Sequence, residues 1–126
     1  MKRISATERL TLSFRKSEMR CRCRSETCDA VAMDMGFMTK LQALRDEWGK
    51  PLIVTSAARW KPWNTKTGGA EKSQHLLGKA ADILMPDASA IPRFVLIAEK
   101  VGFGGIGIGL TFVHLDSRDG HARWTY

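Results

Sequence analysis

The stretch SQHLLGKAADI, residues 73–83, decides how this chain is read. It places a histidine, His75, and an aspartate, Asp82, seven residues apart, with small and apolar residues between them. KAADILM (79–85) alternates and predicts a short strand on which Ala80, Asp82 and Leu84 share one face. A carboxylate in such a strand is costly to bury unless it meets a cation. A turn at Gly78 folds His75, at the end of a polar loop, back over that face. Ala80 and Ala81 leave room around an ion. A catalytic zinc takes three protein ligands and keeps one position open. The chain offers three histidines, His75, His114 and His121. His114 lies in TFVHLD (111–116), where an imidazole between Val113 and Leu115 needs a partner. Taken singly, His75 reads as a surface-loop histidine and His114 as a core histidine satisfied by one hydrogen bond. Asp82 is harder to dismiss. Together His75, Asp82 and His114 form a candidate metal set with spacings of seven and 32 residues.

Outward from this stretch, MDMGFMTKLQALRDEWGK (33–50) carries Phe37, Met38, Leu41, Leu44 and Trp48 at helical spacing and stops at Gly49. Pro51 blocks continuation. PLIVTSAAR (51–59) is rich in β-branched residues and predicts a buried strand. RWKPWNTKTGGAEKS (59–73) reads as a long polar loop. SAIPRFVLIAEKVG (89–102) predicts an amphipathic helix with Pro92 near its start and Gly102 at its end. GIGIGLTFVHLDSR (105–118) offers one or two more strands. The expected fold is α+β, a single domain over residues 1–126 with a small, mainly antiparallel sheet and flanking helices. GFGGIG (102–107) fits the dinucleotide pattern G-x-G-x-x-G, but a helix precedes it and a strand follows, the reverse of what a pyrophosphate site requires. Its glycines read instead as close packing between helix and sheet.

The chain has 126 residues and 44% hydrophobic composition, enough for one core. No apolar run reaches the roughly 20 residues of a membrane span. The N-terminus lacks the apolar region of a signal peptide, so synthesis in a cytoplasm without secretion is expected. Net charge is +7, and eight of the 20 Lys and Arg fall in the first 24 residues against Glu8 and Glu18. Such a segment favours a polyanion or simply keeps the surface solvated. Cys21, Cys23 and Cys28 form C-x-C-x4-C within this N-terminal part, residues 1–30. An odd count argues against a disulfide framework. It leaves a metal site, with a fourth ligand such as Asp29, or free thiols. A thiol protease built on Cys21 is disfavoured, because nothing around it supplies an oxyanion turn.

SQHLLGKAADI, FGGIGI (103–108) and FVHLDSRDGHARW (112–124) together resemble the zinc D-Ala-D-Ala carboxypeptidase family, and more narrowly its small phage- and prophage-type, endolysin-like murein peptidases. LSFRKSEMRCRC (12–23), LQALRDEWGKPL (41–52) and IVTSAAR (53–59) extend the likeness over most of the chain. The resemblance implies the fold shared with hedgehog domains and a zinc-dependent hydrolase. The expected activity is cleavage of peptide bonds in peptidoglycan stem peptides by a metal-activated water, as carboxypeptidase or endopeptidase. It implies Zn2+ on His75, Asp82 and His114. Arg59 is implied to hold a substrate carboxylate or aid the oxyanion, and Ser73 and Asn64 to position substrate. It implies a monomer acting on the cell wall or periplasm after phage-type release, with no nucleic-acid partner. Many members carry an acid three residues before the last histidine as general base; here that position is Thr111. Asp116, two after His114 and on the same strand face, is the substitute, either as base or by orienting His114 or Arg118. Glu71, Asp119 and His121 stand in reserve. Two other classes compete: a relative that binds the wall without turnover, and a basic nucleic-acid-binding module.

Overall fold

A computed structural model describes residues 8–23, 25, 28 and 32–126. The order is α1 (Met35–Trp48), β1 (Val54–Ser56), α2 (Lys61–Lys66), β2 (Ala80–Leu84), α3 (Ile91–Val101), β3 (Gly105–Ile108), β4 (Phe112–Asp116) and β5 (Ala122–Thr125). Single 3-10 turns lie at Lys16–Glu18, Gln74–Leu77 and Ala88–Ala90. The five strands form one sheet in the order β1-β2-β4-β3-β5. Every neighbouring pair is antiparallel except β3–β5. The architecture is the α+β sheet with flanking helices that the element pattern predicts.

Helix α1 begins where the Asp34 side chain accepts a hydrogen bond from the Phe37 amide, and it ends at Gly49 in the left-handed region, φ 75°. Its buried residues are Phe37, Met38, Leu41, Leu44 and Trp48, the five that the sequence periodicity marks. Helix α3 opens with Pro92 in its first turn, closes at Gly102 and buries Ile91, Phe94 and Ala98. The two helices meet edge to face at Trp48–Phe94, ring centroids 5.1 Å apart. They cover the sheet face carrying Ala81 and Ile83 of β2 and Val113 and Leu115 of β4, all inaccessible to solvent. The opposite face of the same strands carries Asp82, His114 and Asp116.

The N-terminal segment is docked on this body. Phe14 and Met19 belong to the core cluster, and the Met19 carbonyl accepts the Ala58 amide at 3.1 Å. Three expectations change. The strand in residues 51–59 shrinks to Val54–Ser56, because β1 is an edge strand with an irregular register and Pro51 offers no amide. The polar segment 59–73 contains α2, since Pro62 stands in its first turn, where a missing amide costs nothing. A fifth strand, β5, follows the hairpin and runs parallel to β3.

Truncation separates core from surface here. Leu41→Ala is expected to lower unfolding free energy by about 2–5 kcal/mol. Leu110→Ala, at an exposed turn, is expected to stay within about 0.5 kcal/mol. Urea titration followed by tryptophan fluorescence checks both.

Candidate metal centre and active-site cleft

Strand pairing brings the chemistry together. Asp82 lies opposite Ser56 of β1 on one side and His114 of β4 on the other. His114 in turn faces Gly107 of β3, and Gly107 faces Trp124 of β5. One row across the sheet therefore reads Ser56, Asp82, His114, Gly107, Trp124. His75 comes to this row from the 3-10 turn Gln74–Leu77. Ser73 caps that turn, its hydroxyl accepting the His75 amide, and Gly78 ends it at φ 69°. A side chain on Gly78 would also strike the Ala32 carbonyl, so the turn requires glycine twice over.

The nitrogen and oxygen atoms converge on one point. His75 Nε2 lies 3.3 Å and His114 Nδ1 2.9 Å from Asp82 Oδ1. Ligand atoms of the three residues all fall within 4.8 Å of one another. Each imidazole is oriented by its other nitrogen. His75 Nδ1 donates to the Ala57 carbonyl at 2.6 Å, and His114 Nε2 donates to Asp116 Oδ2 at 2.7 Å. That leaves Nε2 of His75 and Nδ1 of His114 to face Asp82 as donors to a cation. Two imidazole nitrogens and a carboxylate suit zinc. Their separations approach the roughly 3.3 Å that tetrahedral bonds of about 2.0–2.1 Å impose.

Charge is balanced tightly. Burial works to raise the Asp82 pKa, but hydrogen bonds and charge from His114 and His75 outweigh it and hold the carboxyl well below its usual range. Burial likewise opposes the His114 imidazolium, yet Asp116 and Asp82 on its two sides raise its pKa. Asp116 is fully buried and held well below the usual carboxylate range, the hydrogen bonds from His114 and Arg118 overcoming desolvation. Arg118 grips it twice, Nε to Oδ1 at 2.8 Å and Nη2 to Oδ2 at 2.7 Å.

The sequence profile of the family described as Peptidase M15 matches residues 12–116. The chain belongs to the Peptidase M15 family. No curated protein matches it. Membership and ligand geometry together support a metallopeptidase, with His75, Asp82 and His114 as the candidate metal-binding group. The matched region of this M15 chain ends at Asp116, so β5 lies beyond it.

The remaining candidates separate into those at the cleft and those behind it. An open cleft of about 490 Å³ over the metal set is lined by Arg59, Ser73, Lys72, Arg118, Trp124 and Tyr126, among others. Arg59 sits at its edge with all three guanidinium nitrogens engaged, to Ser56 Oγ at 3.0 Å, Asn64 Oδ1 at 3.2 Å and Asp82 Oδ2 at 3.3 Å. Asn64 does not line the cleft. It is buried, accepting from Arg59 and donating to the Ala70 carbonyl. Nor does Asp116 line it, because the carboxylate points at His114 and Arg118. Glu71, Thr111, Asp119 and His121 are exposed and stand outside the cleft lining.

Sequence reasoning missed the aromatic wall. Trp124 packs on His114 with ring centroids 5.3 Å apart, and Arg118 lies over the Trp124 ring at 4.9 Å. Tyr126 stacks beside Phe112 at 4.8 Å. The two-residue alternation Ala122, Trp124, Tyr126 was the available signal. The glycines of β3 make room for these groups. A Cβ on Gly107 would lie 2.5 Å from the Trp124 indole, and one on Gly105 2.2 Å from Asp116 Oδ1.

Two outcomes follow for the metal. Asp116→Asn is expected to weaken zinc binding about 10- to 100-fold while the chain stays folded, read by chelator competition and circular dichroism. Zinc held by this candidate group would have to displace a proton from His114, whose pKa is raised. Affinity is therefore expected to fall as pH drops through the folded pKa, with proton release detected by calorimetry in buffers of different ionisation enthalpy.

Proposed function

We propose that this M15 chain is a zinc-dependent peptidase that hydrolyses amide bonds in the stem peptides of peptidoglycan. The observation that carries the reading is the convergence of His75 Nε2, Asp82 Oδ1 and His114 Nδ1, each imidazole tied at its other nitrogen. Bound zinc supplies Lewis acidity toward a carbonyl oxygen and toward water. The protein's own residues do the rest. His75, Asp82 and His114 hold the ion. Asp116, clamped by Arg118, fixes the ring of His114 and keeps its Nε2 proton in place, which makes it a positioning residue. Arg59 neutralises the second oxygen of Asp82 and presents its exposed edge to substrate at the cleft wall. Asn64 braces Arg59, and Ser73 shapes the turn that aims His75. Lys72, Arg59 and Arg118 make the lining basic, which suits a peptide rich in carboxylates, and Trp124 and Tyr126 offer an apolar wall for its backbone. The net charge of +7 favours approach to an anionic wall polymer once the protein is released to it.

One observation favours a second reading, wall binding without turnover. Among the described residues lining the cleft, Asp82 is the single carboxylate, and the metal set uses it. No separate acid stands ready there as general base.

Digestion of purified peptidoglycan, followed by mass spectrometry of the muropeptides, separates the two. Hydrolysis is expected to yield new stem-peptide fragments, to stop on metal removal, to return with added zinc and to be absent in His75→Ala. Sedimentation with peptidoglycan and no new fragments supports the binding reading. Cleavage that chelators leave untouched contradicts the zinc assignment.

A further inference from the structure

The three cysteines remain after the cleft has been accounted for. Cys21, Cys23 and Cys28 come from one short segment, and their sulfurs lie within 4.8 Å of one another. Cys21 and Cys28 are buried, Cys23 is half-buried, and none of the three is in a disulfide. Three sulfurs at this separation match the roughly 3.8 Å spacing that Zn–S bonds of about 2.3 Å impose on a tetrahedral ion, with only small adjustment. Backbone amides already point at two of them. Trp60 N–H donates to Cys21 Sγ at 3.3 Å, and Ser25 N–H to Cys23 Sγ at 3.4 Å. Such donors stabilise thiolate charge. Arg20 and Arg22 line the shallow cavity beside Cys21 and offset the net negative charge of a metal held by three thiolates.

We propose that Cys21, Cys23 and Cys28 form a second metal site, a thiolate clip for zinc that is structural rather than catalytic. Asp29, the fourth ligand suggested by the spacing, lies outside the described residues, so the assignment rests on the three sulfurs. Binding exchanges three thiol protons for the metal and leaves the fourth position to another donor. The site adds a further fastening for the N-terminal segment on the body of the fold. Its neighbouring ties are the Met19 carbonyl to the Ala58 amide and Arg22 Nη2 to the Val54 carbonyl at 3.2 Å. The clip abuts Trp60, next in sequence to Arg59, so it also steadies the loop that carries Arg59 to Asp82. The inference is independent of the peptidase reading, because it uses none of the cleft residues.

The test uses the full chain, kept reduced and titrated with zinc and then cobalt. The unaltered chain is expected to bind a second equivalent of metal beyond that of the histidine site. The His75→Ala/His114→Ala chain is expected to keep that equivalent. With cobalt, both are expected to show a thiolate-to-metal charge-transfer band in the near ultraviolet, and Cys23→Ser/Cys28→Ser to lose it. Zinc is expected to slow thiol modification in the histidine variant. Absence of the charge-transfer band in the unaltered chain overturns the proposal, whether or not the cysteine variant folds. So do thiols that react equally fast with and without zinc. Loss of activity in the histidine variant leaves these readings unaffected, so failure of the clip and failure of the peptidase reading are told apart.

Discussion

One carboxylate organises this molecule. Asp82 sits in the middle of β2, opposite Ser56 and His114, with its side chain on the face that the helices leave uncovered. Its Oδ1 takes two imidazoles and its Oδ2 takes Arg59. An aspartate so placed is unfavourable without positive partners, since desolvation of a charge costs several kcal/mol. The surrounding chain answers that cost from three directions: the turn bearing His75, the neighbouring strand bearing His114 and the loop bearing Arg59. Removing any of them leaves a half-buried charge short of partners, which ties the local fold of segments far apart in sequence to a single oxygen pair.

The second constraint is space. β4 carries two large polar groups on its cleft face, His114 and Asp116, one behind the other. β3, paired alongside, answers with Gly107 and Gly105 at the matching positions. Those glycines admit the Trp124 indole and the Asp116 carboxylate, which a methyl group would displace. The same pattern that imitates a nucleotide-binding turn is thus a packing solution: bare backbone beside crowded side chains. Asp116 then becomes a buried brace, with Arg118 closing the far side and the Trp124 ring lying under Arg118.

Much of this was visible in the residues themselves. The α1 stripe from Phe37 to Trp48, the Asp82 strand and the pairing of an odd carboxylate with an odd strand histidine each rest on short-range periodicity and the cost of burying charge. The likeness to zinc D-Ala-D-Ala carboxypeptidases pointed to the family that the match over residues 12–116 establishes. Other features depended on contacts the linear pattern does not record. His75 looked like a loop histidine because only the fold shows the Ala57 carbonyl that holds it in the interior. Asn64 looked like a substrate residue, yet it faces Arg59 and Ala70. Residues 59–73 looked like loop because a proline, read as a breaker, serves equally as the start of a helix.

Residue pattern alone sets the donor types, their strand and turn settings and the α+β class, because alternation, helical spacing and glycine placement act over a few residues. Only contacts between distant segments set which nitrogen of each histidine faces the metal position, that Asp116 bonds His114 and Arg118 behind the cleft, and that β5 returns parallel to β3 to wall it. These depend on cross-strand register and on partners 18 to 32 residues away, where a one-residue slip would turn each side chain to the opposite face.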